Sequence, residues 1–147
     1  MLKDFVTKEL IEIDLYAHDW KDALNKAGQL MLKQDMITED YIREMIEAIE
    51  QYGPYVAIAP HIALAHSAPG PSVKIAGISL SILKEPVKFH HETNDPIKLL
   101  FILAAKDGEG HLSFIKDLVN LLSNNEKVNE LSSSTSIDEA LSIIQQF

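Results

Sequence analysis

The spacing of apolar residues predicts one strand and two helices in the first third of the chain. Residues 10–15 alternate apolar and acidic side chains, which is typical of a short half-buried strand. From residue 20 to about residue 34 the apolar positions recur every three or four residues, and Asp19 precedes them as a helix N-cap. Thr38 precedes a second stripe of the same period, which a Gly-Pro pair ends. Two amphipathic helices, each with one buried face, follow from this pattern.

From residue 55 the pattern changes to short β-rich runs that glycine and proline interrupt. It predicts strands over 55–59 and 62–65, and a third run over 72–83. The apolar phase of this third run switches at Gly77, which predicts a bulge or an entry from loop to strand at that point. Pro86 is expected to interrupt the strand structure, because proline lacks the N–H group that a strand interior uses.

The second half of the chain predicts a central strand and further helices. Residues 97–105 are apolar on both faces, which indicates a strand covered by helices on both sides. A strongly apolar helix follows the Gly-rich turn at 107–110, and Ser136 with Glu139 forms a capping box for a final helix. This order of elements predicts a three-layer α/β domain with a central mixed β-sheet flanked by helices on both faces.

Composition narrows the classes of function. One domain is expected over residues 1–147, and 13 basic against 22 acidic residues leave a net charge of −9. This charge argues against binding to nucleic acid or to an anionic membrane surface. The chain has no cysteine, so thiol nucleophiles, disulfides and thiolate metal sites are excluded from it. No apolar run approaches the roughly 20 residues of a membrane span, so we expect a cytoplasmic protein.

His66 is the residue most indicative of chemistry. It ends an apolar run and precedes the small-residue loop 67–71, where an imidazole nitrogen can act as a nucleophile beside anion-binding backbone N–H groups. The alternative is an imidazole that only hydrogen-bonds the loop backbone. His111, at the start of the later helix, either packs in the core or meets His66 and binds phosphate oxygens there. His61 stands five residues before His66, a poor spacing for two joint ligands.

A metal site and two other chemistries fit the sequence less well. The cluster of His90, His91, Glu92 and Asp95 suggests metal binding, but adjacent strand residues point to opposite faces and no HExxH spacing occurs, so a solvated turn is favoured. No GxxxxGK[ST] loop is present to bind a nucleotide, and Ser67 lacks the GxSxG context of a serine hydrolase. Neither a metal nor a cofactor is expected.

Residues 53–66 resemble the phosphorylation-site signature of type 2 enzyme IIA, the fructose/mannitol class of the bacterial phosphotransferase system. In that family an Ile-Ala-Leu-Pro-His segment carries the phosphorylated histidine, which corresponds to His66. The resemblance continues through 83–89, 94–96 and 103–111, spans nearly the whole chain and is closest to the ascorbate-type stand-alone members.

Three positions depart from the family pattern, and Ala68-Pro69 also replaces the Arg-Pro often seen in ascorbate-type sequences. Ala65 stands where the family usually has proline, His61 where it usually has glycine, and Ser67 where glycine or alanine is typical. Both family histidines are retained. The departures are expected to alter the loop that shapes the phosphate pocket. They therefore affect the assignment of the sugar more than the assignment of the family.

The resemblance implies a phosphoryl carrier. His66 Nε2 would accept the phosphoryl group from phospho-HPr and pass it to a cysteine of enzyme IIB, for uptake of a sugar such as ascorbate through the membrane enzyme IIC. His111 would donate to the phosphoryl oxygens, with Ser67 and Ala68 in the phosphate-binding loop. A phosphorylation-dependent regulatory module is the alternative, and a metal-dependent hydrolase built on His90, His91 and Glu92 is a third. A homodimer also stays open.

Overall fold

A five-stranded mixed sheet forms the middle layer of the described structure. The computed structural model describes residues 2–147, apart from the side chains of 108–114. The sheet order is β1-β4-β5-β3-β2, in which the β1/β4 and β3/β5 pairs are parallel and the β4/β5 and β2/β3 pairs antiparallel. The strands are β1 (Ile11–Leu15), β2 (Ala57–Ala59), β3 (Ile62–Ala65), β4 (Gly77–Val87) and β5 (Ile97–Ala104).

Helices cover both faces of this sheet, which confirms the predicted three-layer α/β fold. Two helices pack on one face and three on the other. The first pair is α1 (Trp20–Lys33) and α2 (Glu39–Tyr52), and the second group is α3 (Gly108–Leu122), α4 (Asn125–Ser132) and α5 (Ile137–Ile144). Two short 3₁₀ turns, Leu2–Asp4 and Lys8–Leu10, precede β1.

The central strand β5 divides the core into two clusters. Leu100 and Ile102 pack in the cluster that contains the apolar faces of α1 and α2. Leu99 and Phe101 pack on the opposite side, in the cluster with α3, α4 and α5. Alternate residues of a strand point to opposite faces, so a strand that is apolar at every position is buried on both. The sequence prediction for residues 97–105 is confirmed.

The third β-rich run is shorter at its start than predicted. β4 begins only at Gly77, so the change of phase marks an entry from loop to strand. Residues 72–76 instead pair with the turn between α1 and α2, through a bridge of Val73 to Ile37 and through the backbone N–H groups of Lys74 and Ile75, which donate to the Met36 carbonyl. This pairing ties the loop after His66 to the helical layer.

The prediction that Pro86 interrupts the strand was wrong. β4 continues through this residue to Val87. Pairing of β4 with β1 ends at Leu83, and the register with β5 shifts between Ile82 and Val87. A proline is tolerated at such an irregularity, because no regular ladder bond requires its missing N–H group.

Helix α4 was not anticipated from the sequence. It has only eight residues, most of them polar, and Leu131 is its one buried residue. Its only two apolar residues, Val128 and Leu131, are too few to show a recognisable period. The helix begins where the Asn124 side chain accepts a hydrogen bond from the Lys127 N–H group at 3.1 Å.

The predicted caps of the other helices lie where expected. The Asp19 side chain accepts a hydrogen bond from the Asp22 N–H group at 2.8 Å. Thr38 occupies the N-cap of α2 but makes no capping bond, because its hydroxyl donates to the Ser72 carbonyl at 3.4 Å. Gly53 ends α2 with φ of 85°, a left-handed conformation that glycine adopts without strain.

Replacing Ser136 with alanine is expected to lower the free energy of unfolding by about 1 kcal/mol. The Ser136 hydroxyl accepts from the Glu139 N–H group at 3.1 Å, and the Glu139 carboxylate accepts in return from the Thr135 N–H group at 2.8 Å. Urea unfolding measures the loss. Ser133→Ala is the control, since Ser133 is exposed and caps no helix N-terminus. Equal stability of Ser136→Ala and Ser133→Ala would contradict the role of the cap.

Candidate active site

His66 follows β3 directly, at the edge of the sheet where both β3 and β5 end. These two strands are parallel, and Ala65 pairs with Ile102 near the end of β5. Since parallel strands end at the same edge of a sheet, the loop after β3 and the connection from β5 to α3 lie there together. The side chain of His111 lies outside the described residues, and its predicted meeting with His66 stays a prediction.

The His66 ring is hydrogen-bonded to the strand that precedes it. Its Nδ1 atom lies 2.8 Å from the carbonyl oxygen of Leu64. A carbonyl only accepts, so this bond places the proton on Nδ1 and leaves the lone pair of the neutral imidazole on Nε2. The ring is half-buried at the end of the strand. This tautomer is the one that a nucleophilic Nε2 requires.

Tyr55 holds both the ring and the backbone of His66. Its hydroxyl donates to the His66 carbonyl at 2.7 Å. The two rings meet edge to face, with centroids 5.3 Å apart and an angle of 85° between their planes. Burial raises the pKa of Tyr55, which keeps its donating proton in place. In the sequence Tyr55 opens a β-rich run, and that pattern predicts no part for it in the site.

Tyr41 supports the next residue of the loop from inside the core. Its hydroxyl donates to the Leu103 carbonyl at 2.6 Å and accepts from the Ser67 N–H group at 3.1 Å. The side chain is only 1% exposed, and this burial raises its pKa to about 12. The spacing of apolar residues in the sequence predicts Tyr41 only as a member of the apolar stripe of α2. The one feature of the sequence that could have indicated its role is the hydroxyl group within an apolar stripe, because a buried hydroxyl needs a hydrogen-bond partner.

An apolar pocket of about 530 Å³ opens beside His66. Ser67 and Ala68, the two residues expected in the phosphate-binding loop, both line it next to the imidazole. Among the described residues the Ala68 N–H group and the Ser67 hydroxyl have no hydrogen-bond partner. The Ser67 N–H group, in contrast, donates to the Tyr41 hydroxyl. The full lining is Ala48, Tyr52, Tyr55, His66, Ser67, Ala68 and Pro69.

The far end of the loop is anchored to helix α2. The Ser72 carbonyl accepts from the Thr38 N–H group at 2.9 Å, and the Ser72 hydroxyl donates to the Glu44 carboxylate at 2.8 Å. Ser72 is buried, so both bonds are shielded from water. The loop that follows His66 is therefore held at both ends by the α2 layer.

His61 lies away from His66, at the opposite end of β3. It occupies the β2–β3 turn with φ of 66°, and its Nδ1 atom lies 2.7 Å from the Pro96 carbonyl. A left-handed conformation favours glycine, which agrees with the glycine usual in the resembling family. This separation along the strand agrees with the expectation that the two histidines are not joint ligands. The expectation that the His61 departure alters the phosphate-pocket loop was wrong, because His61 lies in the β2–β3 turn and does not line the pocket beside His66.

The histidine-carboxylate cluster forms a loop before β5, also at the edge opposite His66. The Asp95 carboxylate accepts from the N–H groups of Phe89, His90 and His91 at 2.9, 2.7 and 3.2 Å. The Nδ1 atom of His91 accepts from the Asn94 N–H group at 3.0 Å. Within the part of the chain that the structure describes, no group of three or more His, Asp or Glu residues is arranged to hold a metal ion.

In Tyr41→Phe the free energy of unfolding is expected to fall less steeply than in the wild type as the pH rises through the alkaline range. The pKa of Tyr41 is about 12 in the folded protein, whereas an unfolded tyrosine ionises near pH 10. As the pH rises the unfolded chain loses this proton first, so the contribution is full below about pH 10 and lost toward pH 12. The shift corresponds to about 3 kcal/mol of stability lost over that interval.

Urea unfolding of wild type and variant between about pH 9 and pH 11 measures this slope. Tyr16→Phe is the matched control, because Tyr16 is 53% exposed and lies at the opposite edge of the sheet. The control is expected to keep the steep wild-type slope. Parallel slopes for wild type and Tyr41→Phe would refute the assignment of the alkaline loss to Tyr41.

The sequence and the fold of the chain both match one class of proteins, the IIA components of the phosphotransferase system. Residues 4–147 match the family described as phosphoenolpyruvate-dependent sugar phosphotransferase system, EIIA 2. The ascorbate-specific PTS system EIIA component of Shigella boydii is 34% identical over 137 residues, which cover 92% of this chain and 89% of the relative.

Solved structures agree with the sequence match. The mannitol-specific cryptic phosphotransferase enzyme IIA CmtB of Escherichia coli is 30% identical and has a TM-score of 0.87. The match covers 100% of this chain and 100% of that one. Enzyme IIAMTL of E. coli, solved in complex with phosphorylated enzyme IIBMTL, is 23% identical with a TM-score of 0.85 over 97% of this chain and 98% of that one. This second likeness concerns the fold alone.

The chain belongs to the type 2 EIIA family of the sugar phosphotransferase system. The resemblance inferred from residues 53–66 is thereby confirmed, and a phosphoryl-carrier role follows from the family. None of the helices in the described part of the chain has both the length and the apolar character needed to cross a membrane.

Proposed function

We propose that the chain is a single-domain, ascorbate-type enzyme IIA over residues 1–147 that carries a phosphoryl group on Nε2 of His66. The observation that carries the proposal is the hydrogen bond from His66 Nδ1 to the Leu64 carbonyl, since it leaves the nucleophilic lone pair on Nε2. The 34% identity to the ascorbate-specific EIIA component supports the sugar assignment.

The proposed reaction consists of two displacements at phosphorus. In the first, the Nε2 lone pair of His66 attacks the phosphoryl group of phospho-HPr, and the P–N bond to the HPr histidine breaks with its electron pair. In the second, a cysteine thiolate of enzyme IIB attacks phosphorus, and the P–N bond to Nε2 breaks. Neither step needs a metal or a cofactor to balance.

The phosphoryl group needs hydrogen-bond donors while it moves. Phosphoryl transfer proceeds through a loose transition state with charge on three equatorial oxygens, so aligned donors supply most of the catalysis. We assign this role to the Ser67 hydroxyl and the Ala68 N–H group, which line the pocket beside the ring. His111 is proposed as a further donor. These local donors offset the repulsion from a chain of net charge −9.

The proposed partners follow from the same role. Phospho-HPr is the donor and enzyme IIB the acceptor, the latter by analogy with the E. coli IIAMTL that was solved with phosphorylated IIBMTL. The membrane enzyme IIC is a partner only indirectly, because enzyme IIB passes the phosphoryl group to the sugar that IIC carries. We place the protein in the cytoplasm, where HPr acts, and propose a homodimer as an oligomeric state to be measured.

Reconstitution tests the proposal. Incubation with phosphoenolpyruvate, enzyme I and HPr is expected to add the mass of one phosphoryl group, stable to alkali and labile to acid. Addition of the ascorbate-system enzyme IIB should then transfer the label to its cysteine faster than the mannitol-system enzyme IIB does. No label on the wild-type chain would overturn the carrier role, and a label that no enzyme IIB accepts would indicate a regulatory module instead.

A further inference from the structure

We infer that Tyr41 and Tyr55 form a clamp on the peptide bond between His66 and Ser67, and that this clamp is a positioning device for phosphoryl transfer. The inference rests on the proposed role of His66. Neither tyrosine touches the reacting atoms through its hydroxyl. Each instead binds the backbone that carries the imidazole.

The two hydroxyls hold opposite ends of one peptide unit. Tyr55 donates to its oxygen, the His66 carbonyl, at 2.7 Å, and Tyr41 accepts from its nitrogen, the Ser67 N–H group, at 3.1 Å. A peptide unit is planar, so its orientation depends only on the rotations at its two flanking Cα atoms. Binding both ends therefore restricts ψ of His66 and φ of Ser67 together.

The clamp is anchored in rigid parts of the fold. Tyr41 is buried in the core on α2, and its own proton goes to the Leu103 carbonyl of the central strand at 2.6 Å. Tyr55 comes from the segment between α2 and β2. The peptide unit after β3 is thus fixed relative to α2, β5 and β2, which separates its position from motions of the exposed loop beyond it.

The consequence for chemistry lies in the direction of Nε2. With the backbone held, the bond from Nδ1 to the Leu64 carbonyl and the edge-to-face contact with Tyr55 leave the ring little freedom to rotate. A reaction that depends mainly on alignment gains from such preorganisation. The clamp also commits the Ser67 N–H group inward, which leaves the Ser67 hydroxyl and the Ala68 N–H group to face the phosphoryl oxygens.

Hydroxyl deletions test the clamp. In Tyr41→Phe and Tyr55→Phe we expect the label still to form on His66, and single-turnover transfer to enzyme IIB to slow by roughly tenfold in each. Because both hydroxyls hold one peptide unit, the double variant should slow transfer by less than the product of the two single effects. Tyr16→Phe, at the opposite edge of the sheet, is expected to transfer at the wild-type rate.

Nitrogen-15 NMR of the His66 imidazole separates positioning from general stability. The wild type should show the proton on Nδ1, whereas the clamp variants should show a mixture of tautomers while remaining folded by circular dichroism. Wild-type rates together with an unchanged His66 signal in both variants would overturn the clamp. A wild-type chain that accepts no phosphoryl group would instead overturn the proposed function, and the NMR comparison would still decide the clamp.

Discussion

His66→Ala is expected to abolish acid-labile phosphorylation, with transfer from phospho-HPr reduced by at least about 10³-fold. The variant removes the only atom to which the phosphoryl group is proposed to bond, Nε2. Neighbouring donors in the loop stabilise developing charge but supply no lone pair of comparable nucleophilicity. Mass spectrometry under alkaline conditions, after incubation with phosphoenolpyruvate, enzyme I and HPr, measures the label.

Two variants make this test specific. His66→Gln retains a polar side chain at the end of β3 and is expected to be as inactive as His66→Ala. His61→Gly removes a histidine from the same segment, at a position where φ of 66° suits glycine, and is expected to be labelled like the wild type. A label that persists in His66→Ala and disappears in His61→Gly would transfer the proposed carrier role to the other end of β3.

Replacing Leu100 or Phe101 of the central strand β5 with alanine is expected to lower the free energy of unfolding by about 3–5 kcal/mol. Leu100→Ala opens a cavity in the cluster that contains α1 and α2, and Phe101→Ala opens one in the cluster with α3, α4 and α5. Both side chains are 0–2% exposed, so surrounding residues can only partly close the cavity. Urea unfolding followed by circular dichroism measures both losses.

Val119→Ala is the control for this pair. Val119 lies on α3 and is 53% exposed, so its truncation should change stability by no more than about 0.5 kcal/mol. Costs of similar size at Leu100 and Phe101 are the signature of a strand buried on both faces. A cost near that of Val119→Ala at either position would mean that one helical layer does not pack on β5.

Most of the fold follows from local patterns because burial imposes a period on each element. The stripes after Asp19 and Thr38 predict α1 and α2, and residues 97–105 predict a strand covered on both sides. The change of apolar phase at Gly77 predicted a bulge or an entry from loop to strand, and the structure has the entry. The passage of β4 through Pro86 depended on which neighbours that stretch acquires. Such neighbours come from distant parts of the chain, and local periodicity does not contain them.

The candidate site also contains residues that the sequence indicates and residues that only the structure reveals. His66 is recognisable from the apolar run before it and the small residues after it, and both Ser67 and Ala68 lie beside it in the structure. The tyrosines were missed as site residues. Tyr41 stands 26 positions before the Ser67 N–H group that it binds, so its sequence neighbourhood indicates only a buried helix face.

The sequence by itself determined the layers, the central strand and the histidine, because each depends on residue type and spacing within one segment. The tertiary structure decided the tautomer of His66, the two tyrosine contacts on its peptide unit and the donors left to face the pocket. These features depend on hydrogen bonds that Tyr41 and Tyr55 make from other segments of the chain, and on the local backbone conformation that brings the His66 ring to the Leu64 carbonyl. They exist only after α2, β3 and β5 have packed, since packing alone brings a buried hydroxyl within 3.1 Å of the N–H group it supports.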